Sequence, residues 1–202
     1  MINIISIWSV SFTIGIAGAR GGLGKELVRQ SLDKKWNVIG LTKDDKNSPV
    51  LHPYRTGWLS DKLLEPIQEP IDFKYFNENC QYDALVISLS ATPFEKDYSC
   101  DATKTILSNI SNRCKKIVLL SADGVGDSLN GNNIGIQVME KLYLREVYKN
   151  KNLQEEIVNT YKDKMQISIL RPKVLSYGKI PFNTIATPRE VIANQIIDFI
   201  AE

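Results

Sequence analysis

The segment TIGIAGARGGLGKELV, from Thr13 to Val28, constrains this chain more than any other. A run of β-type residues, Thr13 to Ala17, breaks into Gly18-Ala19-Arg20-Gly21-Gly22-Leu23-Gly24. It then continues in a helical pattern that sets Leu23, Leu27 and Val28 on one side. Strand, glycine turn and helix in that order make the first half of a βαβ unit. Gly18 permits a tight turn out of the strand. Gly21 and Gly22 remove Cβ atoms that would hold an anion off the backbone, and Gly24 lets helix and strand pack closely. The helix start directs unpaired N–H groups and the positive end of the dipole at the turn, which suits a pyrophosphate. The pattern predicts a dinucleotide-binding turn; the plain alternative is a βα connection that holds no ligand.

Further apolar runs alternate with helical patterns along the chain. Strands are expected at Trp36 to Thr42, Ala84 to Leu89, Lys116 to Ser121 and Gln166 to Leu170. A short strand is expected within Val50 to Gly57, weakened by Pro53. Helices are expected at Asp61 to Gln68, Ala102 to Ser111, Ile134 to Tyr161 (with a break near Asn150 to Asn152) and Pro188 to Ile200. Near-continuous apolar strands separated by helices imply an α/β domain whose mostly parallel sheet is covered on both faces. Ligands of such sheets sit beyond the carboxyl ends of the strands. That places the glycine turn, Thr42-Lys43, Ser90 to Thr92 and Ser121 to Gly124 along one rim. No repeat or linker interrupts residues 13–202, so they read as one domain. Residues 1–12 read as an extension or extra strand running directly into the glycine segment. No charged side chain precedes Arg20, so the basic start of a signal peptide is missing.

Composition narrows the function classes. A formal net charge of +2, with lysine and arginine dispersed, gives no reason to expect nucleic acid or an anionic membrane as partner. Cys80, Cys100 and Cys114 lack metal-ligand spacing and read as reduced thiols of a cytoplasmic protein. His52 is the only histidine, which argues against histidine metal sites and Ser-His-Asp catalysis; beside Pro53 it reads as a loop residue. No metal site is expected.

Several segments, in order, resemble one family. GARGGLG is similar to the Gly-x-x-Gly-x-x-Gly of short-chain dehydrogenase/reductases, in particular their atypical, NmrA-like NAD(P)-binding branch. Gly57 to Asp61 resembles that branch's Gly-Asp-Leu-Thr-Asp, and Asp83 to Ser88 its fourth strand. Lys115 to Ser128 resembles the fifth strand and its loop, Ile169 to Leu175 the "RP" segment, and Thr187 to Ile196 the last helix. The resemblance implies a Rossmann-type doubly wound domain. It also implies a cofactor site at Gly18, Arg20, Gly21, Gly22, Leu23, Gly24, Thr42, Lys43, Ser90, Ala91, Ser121 and Lys151, and catalytic roles for Ser121, Tyr148 and Lys151.

The departures matter as much. Trp58 stands where the family has an adenine-contacting Asp, and Ser121-Ala122 lacks the second hydroxyl that usually follows the fifth strand. The Tyr-x-x-x-Lys pair is displaced: Lys151, four before Glu155, has Val147 at the position of the tyrosine, and Tyr148 comes one residue late. Tyr148 and Lys151 at i, i+3 still meet on a regular helix, where an ammonium favours the phenolate. The competing reading makes Tyr143, Val147 and Tyr148 a buried stripe.

Arg20 and Lys43 supply cations where an NAD site usually offers a carboxylate to the ribose, which favours NADP(H). Asp44 and Asp45 follow and keep NAD(H) open. Two functions remain. One is an NADP(H)-dependent oxidoreductase passing hydride to a small carbonyl or conjugated substrate. The other is a non-catalytic NADP(H)-binding redox sensor or scaffold acting through a protein partner; under either, a monomer or homodimer is expected. A sugar-nucleotide epimerase fits less well, since little chain follows Pro172 to build a substrate domain.

Overall fold

The computed structural model describes residues 12–43, 51–56, 81–90, 98–110, 112–126, 145–176 and 186–202. Their order is β1 (Thr13–Ala17), α1 (Gly22–Asp33), β2 (Asn37–Lys43), β3 (Leu51–Thr56), β4 (Tyr82–Ile87), α2 (Ser99–Ile110), β5 (Cys114–Leu120), α3 (Arg145–Asn159), β6 (Gln166–Leu170), β7 (Val174–Ser176), β8 (Ala186–Pro188) and α4 (Arg189–Ala201). The expected helix at Asp61 to Gln68, the extension at residues 1–11, Cys80 and the start of the helix expected from Ile134 lie outside the described residues.

One six-stranded sheet runs β3-β2-β1-β4-β5-β6. Strands β2, β1, β4, β5 and β6 are parallel, and β3 pairs antiparallel with β2. Chain order reverses between β1 and β4, which makes that pair the switch point of a doubly wound sheet. Pro53 is tolerated because β3 is at the edge, where a missing donor costs no central ladder bond. His52 is a strand residue opposite Thr42, not a loop residue as its proline neighbour suggested.

Alternation along each parallel strand divides the core between two faces. Ile14, Ile16, Val38, Ala84, Val86 and Val118 point to the side covered by α1 and α4, where Leu27, Val28, Ala193 and Ile196 are buried. Ile39, Leu41, Leu85, Ile87, Ile117 and Leu119 face α2 and α3, packed by Ile106, Leu107, Ile110 and Val158. The two helices of this second face differ. α2 buries an apolar stripe, whereas the buried residues of α3 are Lys151, Gln154, Glu155 and Val158. The helix runs unbroken through Asn150 to Asn152, so the break suggested by that polar tripeptide is absent; the Lys151 and Asn152 side chains both bond to other parts of the chain. Pro188 serves as N-cap of α4, in keeping with its fixed φ.

Candidate functional site

The carboxyl ends of the parallel strands lie level. Ala17 is in register with Leu41 and Ile87, Ile87 with Leu119, and Leu119 with Ile169. The carboxyl ends of β1, β2, β4 and β5 therefore share one rim.

The turn after β1 is built from backbone. Gly18 has φ +87° and donates its N–H to the Leu41 carbonyl at 2.9 Å; a Cβ there would collide with the Ser88 carbonyl oxygen. Gly21 donates to the Gly18 carbonyl at 2.9 Å, so its amide closes the turn and is not free for a ligand. Gly21 is also the N-cap of α1, and no side chain caps the helix. Gly24 lies under the turn, where a Cβ would strike the Gly18 carbonyl oxygen and come within 2.8 Å of Ala19 Cα. Leu23 is 3% exposed, its side chain in the core, so only its backbone can face a ligand. Arg20 stands exposed in the turn. Thr42 and Lys43 close β2 opposite His52 and Leu51; their side chains, like Ala91, lie outside the described residues. Ser90 follows β4 and is exposed.

A second group sits at the ends of β4 and β5. Lys151 is 5% exposed, and its Nζ donates to the Leu89 carbonyl at 2.6 Å and the Leu120 carbonyl at 2.9 Å. Ser121, next in sequence, is fixed through its N–H to the Leu170 carbonyl at 2.8 Å. Its hydroxyl is buried and has no hydrogen-bond partner among the described residues. Such a group is costly unless something satisfies it. Tyr148, one turn before Lys151, is half-buried, as is Val147.

Sequence reasoning missed the pair beside this group. Arg171, which follows β6, donates Nε to Glu155 Oε1 at 2.9 Å and Nη2 to Oε2 at 2.7 Å, a forked ion pair with the carboxylate side chain 7% exposed. The Lys-x-x-x-Glu spacing and the Arg-Pro segment were both visible, but nothing in their spacing says that they meet.

Among the described residues no group of three or more His, Cys, Asp or Glu side chains could hold a metal ion. No described helix is long and apolar enough to cross a membrane. Cys100 and Cys114 are buried thiols outside any disulfide, donating to the Asn150 and Lys116 carbonyls at 3.2 and 3.1 Å.

The doubly wound fold has solved counterparts. The chain has a Rossmann fold. It is similar to an anaerobillin reductase from Escherichia coli O157:H7, at 15% identity and TM-score 0.59 over 93% of this chain and 89% of that one. A UDP-N-acetylglucosamine 4-epimerase from Bacillus cereus matches at 19% identity and TM-score 0.62, over 95% and 74% of the two chains. A short-chain dehydrogenase/reductase from Veillonella parvula matches at 11% identity and TM-score 0.66, over 95% and 88%. No family model and no curated protein matches the sequence.

Proposed function

We propose that the chain is an NADP(H)-dependent oxidoreductase of the atypical short-chain dehydrogenase/reductase type, NmrA-like in branch, which passes hydride to a small carbonyl or conjugated substrate. The carrying observation is the turn after β1, a glycine-rich turn opening on a helix without a side-chain cap at the switch point of the sheet. A dinucleotide fits these residues. The helix start offers amides and the positive dipole end to a pyrophosphate, and the orphaned Ser121 hydroxyl offers a polar contact further along the rim. The reductases and epimerase of like fold support the same reading.

Under this reading Gly18, Gly21, Gly22, Leu23 and Gly24 shape the pyrophosphate turn. Arg20, Thr42 and Lys43 meet the 2′-phosphate, with NAD(H) the alternative if Asp44 or Asp45 takes the ribose. Ser90 and Ala91 border the dinucleotide, while Ser121 and Lys151 serve its nicotinamide half. The nicotinamide supplies the hydride; the protein orients it, excludes water and delivers a proton from Tyr148 or solvent.

A specific observation favours a second reading, a non-catalytic NADP(H) sensor working through a protein partner. Lys151 is held by two backbone carbonyls, and the residue four before it is Val147 rather than tyrosine.

The test is to load purified protein with NADPH and follow its absorbance against quinones, flavins and carbonyls. Oxidation by one of these classes is expected. Tight binding with no oxidation by any would favour the sensor, and no binding of NADPH or NADH would end both readings.

A further inference from the structure

The loop leaving β5, residues 121–126, is tied down by a device that the nucleotide-binding reading does not use. Gly126 has φ +61°, and a Cβ there would lie 2.8 Å from Glu155 Oε2 and 2.9 Å from Arg171 Nη2, so the loop backbone rests directly on the ion pair. Its N–H donates to Asn152 Oδ1 at 2.9 Å. Asn152 and Glu155 are one turn apart on α3, on the same side of the helix as Lys151. At the other end, the N–H of Ser121 donates to Leu170 and that of Asp123 to Pro172 at 3.0 Å, the residues on either side of Arg171. Between them Val125 is fully buried.

We propose that Glu155, Arg171 and Asn152 form a positioning clamp that fixes residues 121–126, and thereby the place of the Ser121 hydroxyl, on the rim of the sheet. The inference rests on the proposed dinucleotide site for its functional consequence, though not for its geometry. Stability alone does not account for the pair. A buried ion pair can be replaced by apolar groups of similar volume with little loss, because its attraction mainly offsets desolvation. A forked carboxylate–guanidinium contact does fix direction and register, which two apolar side chains would not. The clamp reads backbone as well as charge: Gly126 leaves the two charged groups room to meet, and Asn152 holds its amide above them. Glu155, Arg171 and Asn152 are positioning residues, acting on a bound molecule only through the loop.

The test uses the full chain with Glu155→Leu and Arg171→Met combined, and separately Asn152→Ala, at a half-buried helix position. Three quantities are read: melting temperature, hydrogen exchange of the Ser121 to Gly126 amides, and affinity for NADPH against adenosine 2′,5′-bisphosphate, which lacks the nicotinamide half. The double variant should melt near the wild type, exchange its loop amides at least tenfold faster and bind NADPH about tenfold more weakly, with adenosine 2′,5′-bisphosphate binding unchanged; local misplacement has costs of this order. Asn152→Ala should move exchange and NADPH affinity the same way by less. Loop amides as protected as in the wild type would overturn the clamp. Equal loss of affinity for both nucleotides would overturn its action on the nicotinamide end. Should the wild-type chain bind neither nucleotide, the proposed function falls, and the exchange measurement alone decides the clamp.

Discussion

Lys151 Nζ lies 2.6 Å from the carbonyl oxygen of Leu89, and the same ammonium reaches the Leu120 carbonyl at 2.9 Å. One side chain of α3 therefore joins the last residue of β5 to the residue two past the end of the neighbouring parallel strand β4. A buried ammonium needs such partners, and buried carbonyls beyond the last ladder bond need such a donor. The lysine thus has a structural task before any ligand is considered.

Replacing it separates the two tasks. Lys151→Met retains the stem and removes the donors, leaving two carbonyls unsatisfied. Hydrogen bonds to charged groups and unsatisfied buried acceptors together suggest a loss of about 3 kcal/mol in the ligand-free protein, read by urea unfolding. An unchanged unfolding midpoint would mean that the strand clasp contributes nothing and that the lysine serves a ligand only.

The glycine turn carries a different expectation. Gly24→Ala forces a Cβ against the Gly18 carbonyl and Ala19, both backbone, which cannot yield without moving α1 away from β1. Overpacking of this kind costs about 1–3 kcal/mol. NADPH affinity, followed by fluorescence titration below the melting temperature, should fall more steeply than stability does, because the helix start moves with the helix. Affinity equal to that of the wild type would remove the turn from the ligand site.

How much of this was legible beforehand follows from the range of the interactions. β1, its turn and α1 were readable because each choice is local: β-type residues, then glycines with φ or contact constraints, then apolar residues at helical spacing. The parallel sheet was readable from continuous apolar runs such as Leu85 to Ile87 and Ile117 to Leu120. The antiparallel sense of β3 was not, since pairing direction is set by the partner and not by the strand's own sequence. α3 was the hardest element. Its buried face holds Lys151, Gln154 and Glu155, so hydrophobic periodicity says little about it, and Asn150 to Asn152 looked like a break. Its partners, the Leu89 and Leu120 carbonyls and Arg171, are distant in sequence and carry no local signal.

Cys114 gives a pH dependence. Burial pushes its thiol up to about 12, against some opposition from hydrogen bonding with the Lys116 backbone. The unfolded thiol titrates near its ordinary value of about 8.5. Above that value the unfolded state has released a proton that the folded state still holds, so stability from this group is intact at neutral pH and declines as pH rises toward 12, by about 1.4 kcal/mol per pH unit at most. Other groups titrate in the same window, so the measurement is the difference in slope between wild type and Cys114→Ala from pH 8 to 11. The wild-type curve should fall more steeply; parallel curves would mean that the folded thiol ionises as easily as the unfolded one. Alkylation of Cys114 in the folded protein should also stay slow at pH 9, since the thiolate is the reactive form.

Arg20 decides the choice of nucleotide under the proposed function. It stands exposed in a turn whose remaining contacts are backbone, and Lys43 ends the neighbouring parallel strand. A 2′-phosphate carries charge that a 2′-hydroxyl lacks, and guanidinium and ammonium groups recognise it by charge-assisted hydrogen bonds. Combining Arg20→Ala with Lys43→Ala should weaken NADPH binding by about tenfold or more, the loss of one to two such contacts, and leave NADH binding within about twofold. Salt supplies an independent check, because exposed charge contacts are screened. Raising ionic strength should reduce NADPH affinity in the wild type and have little effect in the double variant. An equal loss of NADPH and NADH affinity in that variant would reject the two cations as the basis of selectivity and return the choice to Asp44 and Asp45.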